Sequence, residues 1–213
     1  MNARSVTVIS HVAPPIQIES SQESEAVQTE RALAKIMSKP IGRRLINEIQ
    51  SAATDGRMIR IQTSNKQQCE AGPFLTRSQC QRFELMGGTE ESNRKAAQIS
   101  HYTYTGKAGE PVAALIRWNP ETACLIDKEG YPVLNNNPNE SFISLAHELV
   151  HAHGFMTGQH YYDFSPLTQG TMAYKEEERA IGIGGHDKEK LSENAIRLEH
   201  EMASRKHFFT RSQ

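Results

Sequence analysis

Residues 144–155 read SLAHELVHAHGF, and inside them His147-Glu148-Leu149-Val150-His151 is an H-E-x-x-H pattern. Positions four apart on an α-helix differ by about 40° around the axis and about 6 Å along it, so both imidazoles can face one ion. Zinc is the ion to which the pattern points. Glu148 falls to the side of the ligand pair, where its carboxylate can reach a water at the fourth position without binding the ion. That is the place of a general base that later protonates a leaving amine. With nine His and 21 Glu in 213 residues, chance gives about 0.04 such matches per chain, so the surroundings decide. Leu145, Ala146, Leu149, Val150 and Ala152 supply a buried side, Ser141 or Asn139 can cap the segment, and Gly154 ends it.

A catalytic zinc needs a third protein ligand. His153 lies about 200° from His151 around the helix and cannot join the pair. Gly154 begins a longer zinc-peptidase pattern, but the position where that pattern wants its third histidine is Thr157, and His160 comes three residues late; it is the alternative ligand. The other source is Lys175-Glu176-Glu177-Glu178-Arg179-Ala180-Ile181-Gly182. Three consecutive acids often form a solvated face, yet a carboxylate from a downstream helix completes the two-His-one-Glu class of site and leaves a fourth position for water.

Outward from this helix, Val27, Leu33, Ile36 and Met37 are spaced for one helical face from Glu25 to Pro40. Ile41, Leu45, Ile46 and Ile49 repeat the pattern, capped by Ser38, up to Asp55-Gly56. Met58 to Ile61 alternates like a strand, and Lys66 to Gly109 has no clear pattern. Val112–Trp118, Ala123–Ile126 and Tyr131–Leu134 read as a short antiparallel meander. Helices are expected from Thr171 to Ile181 and, capped by Ser192, from Glu193 to about Lys206. The class is α+β, a small antiparallel sheet between helices.

The 24 basic and 25 acidic residues give a net charge of −1, which offers no general attraction to nucleic acid or anionic lipid. Hydrophobic residues at 37% and a mean hydropathy of −0.60 describe a polar chain with a small core. The three cysteines Cys69, Cys80 and Cys124 show neither a disulfide framework nor ribbon spacing. No cationic, then apolar, targeting segment is present, and the acidic stretch ESSQESEAVQTE makes residues 1–25 a mobile leader, with residues 26–213 as the catalytic domain.

The segments SLAHELVHAHGF, KEEERAIG and LSENAIRLEHEM, with SKPIGRRLINEIQS and residues 114–134 upstream, resemble the NleD-like type III secreted effector metalloproteases of Gram-negative pathogens. More distantly they resemble the clostridial neurotoxin light chains, so a zincin-like fold is implied. The resemblance implies a leader that directs secretion by a type III system into the host cytoplasm, a host protein substrate, and stress-activated MAP kinases as that substrate. It also implies Glu177 as third zinc ligand and Glu176 as the acid that orients a ligand histidine, although Glu178 stands where an apolar residue is usual. For the oxyanion donor, Arg197 is the first choice, with Tyr161 or Tyr162 as alternatives. A monomer without nucleic-acid or membrane partners is expected. The alternatives are a catalytically inactive zinc protein that binds a host partner, and a zinc hydrolase of a non-protein substrate.

Overall fold

The computed structural model describes residues 6–67, 69–102, 106–162 and 165–211. In chain order the elements are β1 (Val6–Ile9), β2 (Gln17–Ser20), α1 (Glu23–Met37), α2 (Pro40–Ala52), β3 (Ile59–Thr63), β4 (Glu70–Phe74), α3 (Arg77–Phe83) and α4 (Glu90–Ser100). They continue with β5 (Ala113–Trp118), β6 (Thr122–Ile126), β7 (Pro132–Asn136), α5 (Phe142–Thr157), α6 (Met172–Ile181) and α7 (Glu193–Glu199). Five strands form one mixed sheet in the order β1-β2-β3-β5-β4, and β6 and β7 form a separate hairpin.

The α+β class holds, but the sheet is not an antiparallel meander. β5 runs parallel to β3, which runs parallel to β2, while β4 closes one edge antiparallel to β5. Asn119 and Pro120 therefore carry the chain out of the main sheet instead of turning β5 into a hairpin with β6. The residues 66–109 that showed no pattern hold β4, α3 and α4. Both helices start at capping boxes, Thr76 with Gln79 and Thr89 with Ser92.

The segment expected to be a leader is folded from residue 6 onward; residues 1–5 lie outside the described residues. β1 and β2 pair antiparallel, β2 joins β3, and Ala13, Ile16 and Ile18 are fully buried. The acidic run that looked too polar to order ends β2 and begins α1. Glu23 and Glu25 sit at the positive end of the helix dipole, and Glu25 accepts hydrogen bonds from the Ser21 N–H and the Thr63 hydroxyl.

α2 has no side-chain cap from Lys39, and Ser38 donates instead to the Lys35 carbonyl. The exposed amides at its start are met from far along the chain, where Glu199 accepts from Ile41 N at 2.7 Å and Gly42 N at 2.8 Å. Gly42 is needed because a Cβ there would run into the carbonyl of Ile36.

α5 lies at the centre, against β4, β5 and β6 and against α1, α2 and α7. It is buried almost all round, since Glu148, Leu149, Val150, His151, Ala152 and His153 are all out of solvent; an amphipathic reading understates its position. Its first turn carries no side-chain cap from Ser141, whose carbonyl instead accepts from the Trp118 indole N–H at 3.2 Å. Gly158 ends it in the left-handed region at φ 69, with its N–H toward the Gly154 and Phe155 carbonyls. α7 is shorter than its apolar pattern suggested, because Glu201 turns the chain at φ 58 and Arg205 comes back beside Asn194, donating its N–H to Oδ1 at 2.7 Å. No described helix is long and apolar enough to cross a membrane.

Candidate active site

α5 and α6 bring together three atoms able to ligate a metal. His147 Nε2 and His151 Nε2 are 3.1 Å apart, and Glu177 Oε2 lies 3.3 Å from the first and 3.5 Å from the second. A tetrahedral zinc with bonds near 2.05 Å separates its ligands by about 3.3 Å, so the triangle fits the ion. The outer ring nitrogens support the same fit. His151 Nδ1 is 2.9 Å from Glu176 Oε1 in a buried hydrogen bond. His147 Nδ1 is 2.9 Å from Glu193 Oε2, at ion-pair length although the ring N–H is not well aligned with it. With a proton held on each outer nitrogen, neutral imidazoles leave both Nε2 lone pairs available to one cation.

The three consecutive acids of α6 face three ways. Glu177 lines the cleft. Glu176 is buried and its oxygens are taken by His151, by the Tyr161 N–H at 3.1 Å, and by Arg179 through Nη2 at 2.6 Å and Nε at 2.9 Å. Glu178 lies beside Gly184 and lines a different cavity with Tyr174 and Lys206. Rotation of about 100° per residue is the cause.

His160 stacks on Phe155 with ring centroids 4.0 Å apart, and its Nε2 is 3.6 Å from Glu176 Oε1. With His151 and Glu176 it makes a second group able to hold an ion, but Glu176 is already matched by Arg179. Burial pushes the His160 pKa down to about 4. His153 points away, with Nε2 3.1 Å from Glu48 Oε2 on α2.

Arg197 is not placed where an oxyanion donor must be. It is buried at 1% exposure, with Nε donating to Glu193 Oε1 at 2.7 Å and Nη2 to the Cys124 carbonyl at 2.6 Å. Four residues after Glu193 on the inward face of α7, it holds that carboxylate for His147. Tyr161 gives its backbone N–H to Glu176. Among the described residues lining the cleft, the one Lys or Arg is Arg205, whose Nη1 donates to Glu193 Oε2 at 3.2 Å. Sequence reasoning passed over both Glu193 and Arg205. The Glu193-x-x-x-Arg197 spacing on a capped apolar helix was the available signal for the first; the second depends on the chain reversing after α7.

Burial alone would lower the His147 pKa, but the carboxylates of Glu177 and Glu193 outweigh it and raise it to about 9. His151 is raised likewise, against burial, by Glu177 and Glu176. Burial would raise Glu177, and the two imidazoles hold it well below the usual carboxylate range instead. Glu148 has no such partner, and burial raises it. Both Cys69 and Cys124 border the cleft; burial pushes the Cys69 thiol up to about 12 and Cys124 upward as well, so neither is a ready nucleophile. The cleft holds about 480 Å³ and is lined by His147, Glu148, His151 and Glu177.

A buried H-E-x-x-H helix, with an acid from the next helix facing it and a mixed sheet edged by an antiparallel strand, is the arrangement of the zincin class of metallopeptidases. The chain belongs to the Peptidase M91 effector protein family, whose profile matches residues 14–208. No curated protein matches it. Among solved structures it is similar to the catalytic domain of Clostridium botulinum neurotoxin serotype F, at 16% identity over 82% of this chain and 45% of that one, with a TM-score of 0.44. It is also similar to the botulinum neurotoxin type G light chain, at 13% identity over 86% of this chain and 53% of that one, with a TM-score of 0.47. The chain spans about half the length of these light chains.

Proposed function

We propose that this chain is a zinc-dependent endopeptidase that acts as an effector on host signalling proteins. The observation that carries the reading is the triangle of His147, His151 and Glu177 with a separate carboxylate, Glu176 or Glu193, at each outer imidazole nitrogen. These three residues would hold zinc, which supplies Lewis-acid chemistry to a water and to the scissile carbonyl. Glu148 takes the proton of the attacking water on a carboxylate oxygen and hands it to the leaving amide nitrogen. Burial suits it to holding a proton between those two events. Arg205, the cation on the cleft among the described residues, is held by Glu193 and by the His207 and Phe208 carbonyls, so neither it nor Arg197 is assigned as the oxyanion donor.

The extended substrate has an edge to add to. β5 is flanked by β3 and β4 and cannot serve, but its neighbour β4 is an edge strand, and Glu70 and Ala71 of β4 border the cleft. Delivery by a type III system, a leader that directs it, a monomeric state and host MAP kinases as substrates rest on the family resemblance. The test is to incubate the zinc-loaded protein with purified host kinases and search for fragments by mass spectrometry. New termini that vanish with a chelator are expected; intact kinases under all conditions would remove this substrate class.

A further inference from the structure

The chain after α7 runs back along the active-site cleft as a strap, and its anchoring is specific. Lys206 N donates to the Gly130 carbonyl at 2.9 Å, and His207 stacks on Tyr131 with centroids 3.8 Å apart. The buried Arg205 guanidinium holds three groups at once. Nη1 binds Glu193 Oε2 at 3.2 Å, Nε binds the His207 carbonyl at 2.9 Å, and Nη2 binds the Phe208 carbonyl at 2.5 Å. The carboxylate that lies against His147 is therefore also the anchor of the strap.

The strap presents aromatic rings at the cleft. Phe208 and Phe209 pack against each other at 4.8 Å and each lies 5.8 Å from Tyr174 of α6. Both border the cleft that contains His147 and Glu148. Phe209 is 50% exposed, and Leu134 and Leu167, also on this cleft, are 42% and 43% exposed. Among the described residues, three of the nine exposed large hydrophobic ones thus gather around one opening, where chance scatter over the surface would spread them. A charged guanidinium spent on fixing the backbone beneath two aromatic rings is costly for a tail with no task.

We propose that residues 205–210 form a recognition wall of the cleft, in which Phe208 and Phe209 make one side of the subsite for a large apolar side chain next to the scissile bond, with Arg205 as their positioning residue. This rests on the endopeptidase reading, and the occupant follows from the wall's continuity with the candidate active site. The wall is rigid on one side, where Tyr174 and Arg205 back it, and open on the other, where Phe209 meets solvent. It selects by contact area and not by charge.

The test uses the full chain loaded with zinc and three N-succinyl amino-acid hydroxamates carrying alanine, leucine or phenylalanine side chains, with affinity read by calorimetry. The wild-type chain is expected to bind the leucine and phenylalanine probes about tenfold more tightly than the alanine probe. In Phe209→Ala that preference falls to within about threefold, Phe209→Leu restores part of it, and Leu198→Ala, at an exposed site on α7, keeps the wild-type ratio. An unchanged ratio in Phe209→Ala, no preference in the wild type, or tighter binding of every probe once the ring is removed would overturn the proposal; the last would mean that the strap obstructs the cleft. Metal analysis of the wild type separates the two layers. A chain that holds no zinc sinks the endopeptidase reading and this inference with it, whereas a zinc-loaded chain with an unchanged ratio sinks the inference alone.

Discussion

Replacing Glu193 by Gln keeps the side chain's shape and removes its charge. Glu193 lies 2.9 Å from His147 Nδ1, 2.7 Å from Arg197 Nε and 3.2 Å from Arg205 Nη1. A carboxylate on the outer nitrogen of a ligand histidine fixes the ring and makes it a better donor, and losing one weakens metal binding by roughly 10- to 100-fold, or about 1.4–2.7 kcal/mol. The second consequence is structural. Arg197 and Arg205, at 1% and 9% side-chain exposure, are left without their counter-ion, and breaking such a buried pair costs about 3–5 kcal/mol. For a chain of this size that lowers the melting temperature by roughly 6–20 °C. Zinc affinity is measured by competition with a chromophoric chelator, and melting by calorimetry with and without zinc. Both quantities are expected to fall, and the stabilisation conferred by zinc to shrink. A variant that melts lower yet binds zinc within twofold of the wild type would show that Glu193 only supports the fold, and the reasoning about His147 would fail.

Glu177→Gln should weaken zinc binding by more than about 100-fold, while Glu178→Gln, which faces another cavity, should leave it within about threefold; the reverse order would reassign the ligand. Zinc takes neutral imidazoles, and the His147 pKa is raised to about 9 in the metal-free chain, so binding at pH 7 must release protons. Affinity should climb about tenfold per pH unit for each proton released between pH 7 and about pH 9; binding heats that do not change between buffers of different ionisation enthalpy would contradict this. Gly42→Ala forces a methyl into the Ile36 carbonyl and should cost about 1–3 kcal/mol, read as a fall in melting temperature of roughly 2–12 °C.

The His147 and His151 pair was legible because it is local: a four-residue spacing on a helix needs no knowledge of the rest of the fold. Glu177 was legible only as one of three acids, and resemblance picked it out before the turn of α6 separated it from Glu176 and Glu178. What stayed hidden depends on distant pairing. Ile16 and Ile18 look like stray apolar residues until β3, some forty positions later, runs parallel beside β2. Glu199 reads as a surface acid until α2 presents its open amides. Arg197 looked available because its charge is visible in the sequence, whereas Glu193 and the Cys124 carbonyl that consume it are brought in by packing. The capping boxes at Thr76 and Thr89 were readable, and would have placed α3 and α4 in the polar stretch that showed no periodicity.

The central claim is that Glu148 moves the proton in a zinc-dependent peptide cleavage. Its most direct test compares the wild-type chain with Glu148→Gln, each analysed for metal and incubated with the same protein substrate. About one zinc in both chains, with cleavage in the wild type and at least a thousandfold less in the variant, is the expected result. Equal cleavage by two zinc-loaded chains would contradict it.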